Sequence, residues 1–506
     1  MRQQIALALA ALALILAGLW PLGQDLAGLQ IRSQQVGATP VTVFEPATRA
    51  PAPAVVIAHG FAGSQQLMQS FAVTLARHGY LAVTLDFPGH GRNPTPLAGG
   101  LADPPRRSET LSESLAPIVA FARTLPGADG RVALLGHSMA TDVVVRYARA
   151  HPDIAATVAV SPFSDQVTAT SPRNLLVIYG AQEPDHLRAV GEDMVAMAAD
   201  GAVVPGEIYG RFADGSARRF VLAPGVEHTG VVFSGAALAA AVDWLDRTFA
   251  RASGEGVATR GLALGLLFLG ILLLARPASG LLPRVAPAPT GGGRPWRQLI
   301  PLALAPAVLT PLLLAPLPHG TMPLLLGDYL VLHFGLYGLL TALGLWLIRP
   351  PNRGTRGARI AWGRLAIAAA AVAAYGTLAI GLPLDQFVTS YVPTGERVPL
   401  VLVMLAGTLP FFLADEWLTR GPWAPRGAYP LTKAGFLLSL TIAITLNLRE
   451  LFFLAIIMPV MLIFFVVYGL VSRWAYRRTN QPLVGGVANA IAFAWGIAAT
   501  FPVVAQ

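Results

Sequence analysis

The sequence predicts a two-part protein: an α/β domain with a mostly parallel sheet flanked by helices, followed by an all-α polytopic membrane domain. Three observations carry this. Between residues 24 and 256, short β-branched or aliphatic runs alternate with helix-period stretches, the pattern of strands joined by crossover helices. From residue 257 onward, eight apolar segments near membrane length follow one another. Charged residues make up 12% of the 506 residues and hydrophobic ones 54%, whereas soluble proteins carry roughly 25% charged residues.

The chain opens on an apolar stretch, residues 5–20, preceded by a single charge at Arg2. No small-x-small cleavage pattern follows before Gln24, and Trp20-Pro21 has the composition of an interfacial exit. Residues 1–23 are therefore expected to form a signal anchor that crosses the membrane once, with a cleaved signal peptide as the alternative. The domain over 24–256 is then expected on the extracytoplasmic side.

Within that domain the predicted strands cover 41–44, 54–58, 81–85, 131–135, 155–160, 174–179 and 220–222. Helical patterns fill 67–78, 112–125, 142–150, 187–199 and 236–250. Asp214-Gly215, between two extended stretches, predicts a hairpin before the last strand.

The region 257–506 is expected to form a membrane domain of about eight helices. The segments are roughly 257–275, 298–317, 322–348, 360–383, 398–415, 431–447, 451–472 and 483–504. The second contains Pro301, Pro306, Pro311 and Pro316, which kink a helix but are tolerated where neighbours resatisfy the backbone. With 24–256 outside, the cytoplasmic connections 276–297, 349–364, 416–433 and 473–482 hold 15 basic residues. Among them are Arg349, Arg353, Arg356, Arg359 and Lys433. The outer side of this half keeps Arg260, Arg397 and Arg449. Such asymmetry sets orientation and supports a spanning second segment, since its failure would invert the count. The expected location is multi-pass in a cell membrane of the bacterial inner-membrane type. Asp328, His333, Asp385, Glu396 and Glu450 fall toward the outer ends of spans; interfacial solvation is the plainer reading, and a polar entry beneath the first domain the sharper one. No chain of intramembrane acids was found that would mark a proton-coupled transporter.

The net charge of +9 is not a nucleic-acid signal. Residues 24–256 hold 17 Arg against 21 acidic residues, net −4, and 257–506 hold 18 basic against 6 acidic residues, net +12. The excess therefore belongs to loops between spans. No cysteine is present, which excludes disulfides and thiolate metal sites. No zinc-protease, P-loop or dinucleotide motif occurs, so neither a metal nor a cofactor is expected.

Chemistry concentrates at Gly136-His137-Ser138-Met139-Ala140, between the apolar run 132–135 and the helical run 141–150. A strand, a sharp turn carrying serine and a helix expose the hydroxyl above the sheet end. A serine hydroxyl attacks only if a base takes its proton, an acid holds the base, and donors receive the oxyanion. Ser138 is the candidate nucleophile; a helix N-cap serine is the plainer alternative. His228, in the loop after the last predicted strand, is the candidate base, against a solvated loop histidine. The acid should follow strand 174–179, where Glu183 is favoured and Asp185 could substitute. The glycine-rich run His59-Gly60-Phe61-Ala62-Gly63-Ser64 follows strand 54–58, so the amides of Phe61 and Met139 are the expected oxyanion donors.

Together with Asp86-Phe87-Pro88-Gly89-His90-Gly91-Arg92, these residues resemble the α/β-hydrolase superfamily, particularly its dienelactone-hydrolase-like and esterase/lipase-like bacterial members. The resemblance covers roughly 41–250. Ala140 stands where the family's elbow has glycine, and glutamate stands for the commoner aspartate. The resemblance implies a membrane-bound serine hydrolase that cleaves an ester or related acyl bond. Its substrate would be a small-molecule or lipid-like acyl compound, its surroundings membrane lipids, and no nucleic acid would be a partner. Acyl transfer by the same residues, or a non-catalytic transporter or scaffold with a hydrolase-like binding domain, are the alternatives. The segment 161–173 is too short for a lid domain, so an open site is expected.

Overall fold

The computed structural model describes residues 1–505 except 48–49, 101–102, 200, 253, 255 and 349–359. The strands are β1 (Leu29–Val36), β2 (Thr39–Pro46), β3 (Ala52–Ala58), β4 (Leu81–Leu85), β5 (Ala128–His137), β6 (Ala156–Val160), β7 (Leu175–Gly180), β8 (Ile208–Tyr209) and β9 (Arg218–Ala223). They form one sheet in the order β1-β2-β4-β3-β5-β6-β7-β9-β8. The run from β4 to β9 is parallel, and antiparallel pairs close both edges. This is an α/β-hydrolase fold.

A parallel sheet needs both faces covered, and the central strands accordingly read as continuous apolar runs. Alternate residues of β3 serve the two faces. Val55 and Ile57 pack with Phe71 of α2 (Gln69–Arg77) and with Leu238 and Trp244 of α7 (Gly235–Phe249). Val56 and Ala58 pack with α3 (Pro104–Glu113), α4 (Leu115–Arg123) and α5 (Met139–Ala150). A further helix, α6 (Asp185–Ala196), covers β7 and β9.

The helical second half contains α8 (Gly261–Ala278), α9 (Trp296–Leu314), α10 (Gly327–Leu347), α11 (Trp362–Ala374), α12 (Gly381–Phe387), α13 (Val398–Thr419), α14 (Ala428–Leu446), α15 (Leu448–Thr479) and α16 (Pro482–Thr500). A π-helical stretch, Tyr375–Ile380, joins α11 to α12. Counting α1 (Arg2–Leu26), nine helices among the described residues are long and apolar enough to cross a membrane. α1 lies against α8 through small residues. A Cβ on Gly18 would stand 2.5 Å from the Ala263 carbonyl oxygen, and one on Gly270 would stand 2.8 Å from that of Ala11. Close backbone approach of this kind is how membrane helices associate.

Several expectations change. The first helix runs to Leu26 instead of ending at residue 23. The predicted helix 112–125 is two helices, α3 and α4, meeting at Ser114. β1 was not predicted, because its residues are polar and mostly exposed. α9 is continuous through Pro301, Pro306 and Pro311. Lys433 is no loop residue: it is buried on α14 and ion-paired with Asp415 of α13. Arg349, Arg353, Arg356 and Arg359 lie outside the described residues.

The two halves are joined along the rim where β3 and β4 end. Ser64 accepts the Ser390 amide at 2.8 Å. Arg92 pairs with Asp385 at 2.5 Å. Residues 503–505 insert between the halves. Val503 donates to the Gly89 carbonyl and accepts from the Leu97 amide, both at 2.8 Å, while Val504 donates to Pro323.

Candidate active site

β5 ends at His137, and the chain turns sharply into α5 with Ser138 at φ 54°, ψ −121°. That left-handed backbone is disfavoured for serine, and strain of this kind concentrates at functional positions. It lifts the side chain above the sheet end. The turn closes because its neighbours are small. A Cβ on Gly136 would stand 2.7 Å from the Ala140 carbonyl oxygen, and one on Gly60 would stand 3.0 Å from Ser138 Cβ. Ala140 is fully buried there, so its methyl is accommodated in the turn.

The Ser138 hydroxyl lies 2.8 Å from His228 Nε2, and His228 Nδ1 lies 2.8 Å from Glu183 Oε2. Glu183 follows β7, and its other oxygen accepts the Ser161 hydroxyl at 2.6 Å and the Gly180 amide at 2.8 Å. Burial raises its pKa; the hydrogen bonds from His228, Ser161 and Gly180 more than offset this and hold the carboxyl below its usual range. An ionised carboxylate only accepts, so Nδ1 carries the imidazole proton and Nε2 faces Ser138 as the acceptor. Asp185, the other candidate acid, is exposed and pairs with Arg188.

The loop holding His228 is fixed from below. Gly180 leaves no room for a side chain, since a Cβ would stand 2.4 Å from the Val226 carbonyl oxygen. His137 Nε2 lies 2.9 Å from the His228 carbonyl oxygen, so it donates there. Burial, followed by the nearby His228, pushes the His137 pKa down to about 4, and it stays neutral. This supporting residue has a sequence signal, adjacency to Ser138, but its partner is 91 residues away.

Phe61 and Met139 flank Ser138, on the loop after β3 and at the first turn of α5. No acceptor among the described residues takes either amide proton. The Phe61 loop is anchored by His59, whose Nε2 accepts the Phe87 amide at 3.1 Å, while its Nδ1 lies 2.7 Å from the Gly60 carbonyl oxygen. Burial lowers the His59 pKa, which keeps Nε2 available as an acceptor. His90 is buried in its turn beside the Pro88 carbonyl.

Asp328, His333, Asp385 and Glu450, in the helical second half, make structural bonds. Asp328 accepts the Thr321 and Tyr329 amides at 2.8 Å, and Asp385 accepts the Tyr391 amide at 2.8 Å. His333 is buried beside the Tyr329 hydroxyl at 3.1 Å. Glu450 accepts the Asn447 side-chain amide at 2.8 Å. Sequence reading passed over a second group on α13: besides Asp415, Glu416 pairs with Arg420 at 2.9 Å and accepts the Ser472 hydroxyl at 2.7 Å. Its signal was two adjacent acids closing an apolar run. Among the described residues no group of three or more His, Cys, Asp or Glu is placed to hold a metal ion.

Residues 49–181 match the family described as serine aminopeptidase, S33. The match includes Ser138 and Phe61 and stops short of Glu183 and His228. No curated protein matches the chain. Among solved structures, a predicted CIB-like hydrolase from Thermoplasma acidophilum is similar at 16% identity and TM-score 0.34, covering 43% of this chain and 97% of that one. A putative dienelactone hydrolase from Klebsiella pneumoniae is similar at 15% identity and TM-score 0.31, covering 44% and 97%. E-2-(acetamidomethylene)succinate hydrolase is similar at 12% identity and TM-score 0.31, covering 43% and 99%.

Proposed function

We propose that the protein is a membrane-bound serine hydrolase that cleaves a carboxylic ester or related acyl bond on the extracytoplasmic side. The observation that carries this reading is the hydrogen-bonded series Ser138–His228–Glu183, with both links at 2.8 Å. Ser138 Oγ attacks the acyl carbonyl as its proton passes to His228 Nε2. Glu183 holds the imidazole in the required tautomer and stabilises the imidazolium. The amides of Phe61 and Met139 receive the oxyanion. His228 then returns the proton to the leaving oxygen, which departs as the alcohol. Water repeats the sequence on the acyl-enzyme, releasing the acid and restoring Ser138.

The extracytoplasmic placement is supported by the arginine asymmetry between the two sets of loops. Retention of α1 as an anchor is supported by its glycine-mediated packing on α8. A fluorophosphonate probe tests the assignment: it should label the full-length protein and fail to label Ser138→Ala. Equal labelling of both would defeat it. An ester and a peptide amide offered side by side would then define the acyl bond, and an added alcohol acceptor would reveal transfer.

A further inference from the structure

Phe61, which follows the Gly60 that abuts Ser138, lies flat against Phe453 of α15, with ring centroids 4.1 Å apart and planes inclined by 29°. A soluble-domain loop that carries a proposed oxyanion donor is thus seated on a membrane helix. The depth of that contact can be read from the helix itself. α15 has 32 residues, about 48 Å at 1.5 Å per residue, which exceeds the roughly 30 Å hydrocarbon core. Arg473, Arg477 and Arg478 mark the end distant from Phe61. About 20 residues cross the core; counted back from Arg473 they reach Phe453. Phe61 therefore meets the helix at the boundary between acyl chains and headgroups, where aromatic residues collect and where the ester bonds of a glycerolipid lie.

The adjoining surface is apolar and uncovered. Leu448, Phe452 and Ile456 recur every four residues along one side of α15 and are 59%, 51% and 52% exposed. Phe452 stands next to Phe453, ring centroids 6.1 Å apart. An aromatic and aliphatic track thus runs from the exposed side of α15 through Phe453 to Phe61, whose neighbour Gly60 abuts Ser138. The His228 side chain is 39% exposed, so water reaches the base.

Resting on the hydrolase reading above, we infer that the substrate is a long-chain glycerolipid ester that reaches Ser138 laterally from the bilayer along the Phe452–Phe453 face of α15. Ser138 Oγ forms the acyl-enzyme, the acyl–oxygen bond to glycerol breaks, the glycerol oxygen takes the proton from His228, and water releases the fatty acid.

The full-length protein should be tested on two substrates: palmitoyl-oleoyl phosphatidylglycerol in vesicles and the soluble ester p-nitrophenyl butyrate. Wild type should release fatty acid from the vesicles. Phe452→Glu, which sets a charge in the apolar approach, should lower the vesicle-to-soluble ratio of kcat/KM by tenfold or more. Where that variant does not accumulate, Leu448→Gln should shift the ratio in the same direction. An unchanged ratio overturns the lateral route. Ser138-dependent cleavage of the soluble ester with intact vesicle lipid overturns the substrate class and leaves the hydrolase reading standing. Activity on both substrates that survives Ser138→Ala removes the hydrolase reading itself.

Discussion

The guanidinium of Arg397 donates at 2.9 Å to the carbonyl oxygen of Gly89, joining residues 308 positions apart. Its other terminal nitrogen donates to the carbonyls of Ala498 and Phe501 at 2.9 and 2.8 Å. One buried side chain therefore ties the turn after β4 to the end of α16. Hydrogen bonds to charged groups contribute about 1.5–3 kcal/mol each. Arg397→Met should lower the apparent unfolding temperature of the detergent-solubilised protein. Arg397→Lys should recover only part, because an ammonium lacks the planar fork. Wild-type stability in the methionine variant would show that the link is dispensable.

Glu183 and Asp185 can be separated directly. In Glu183→Gln the remaining oxygen stays with the Ser161 and Gly180 donors and an NH2 faces His228 Nδ1, which disfavours the required tautomer and should reduce kcat by about 10⁴-fold with little loss of folding. Asp185→Asn should leave kcat within about twofold, as expected of a surface pair. Steady-state rates on a soluble ester check both, and the reverse pattern would reassign the acid.

Gly136 has no space for a methyl, because the Ala140 carbonyl lies in its path. Gly136→Ala should force strand and helix apart at a cost of about 1–3 kcal/mol and displace Ser138. Ala140→Gly should fold and react normally. Circular dichroism melts and probe labelling report the two effects separately.

The buried histidines predict acid sensitivity. Burial pushes His137 down to about 4 and His90 to about 3, against about 6.5 in an unfolded chain. The folded state then binds fewer protons than the unfolded one. The stability they contribute is fully present above about pH 6.5 and is lost as pH falls toward 4 and below. Unfolding temperature should hold level from pH 7.5 to about 6.5 and fall from there to pH 4, and His137→Asn should flatten the slope. An unchanged slope in that variant would place the sensitivity elsewhere.

Lys433 is enclosed by Phe411, Phe412, Tyr429 and Phe465 and paired with Asp415. Removing one charge leaves the other buried without its partner. Asp415→Asn should cost about 3–5 kcal/mol, while Asp415→Leu with Lys433→Met should restore most of it. A double-mutant cycle on unfolding in detergent measures the coupling.

Local sequence revealed the parts of the site that depend on local geometry. The Ser138 turn is legible because a strand–turn–helix needs small residues at fixed offsets, and Glu183 and His228 because each follows a strand of the same parallel sheet. The parallel strands announce themselves through apolar runs buried on both faces. β1 escaped because an edge strand with exposed side chains has no such run. The Phe61–Phe453 contact and the Arg397 bridge escaped for another reason. They join residues hundreds of positions apart, and neither side of either contact carries a pattern that names the other. Lys433 looked like a loop charge because a count by sequence position cannot see a partner on the preceding helix.

Residues 503–505 close the gap between the two halves, and they follow all of the apolar helices in the order of synthesis. The early-made sheet can assemble on its own schedule, but the rim beside Gly89 and Leu97 stays unfinished until α16 is in place. Completion of that rim is thereby coupled to completion of the bundle. A chain halted before residue 503 would leave that rim incomplete.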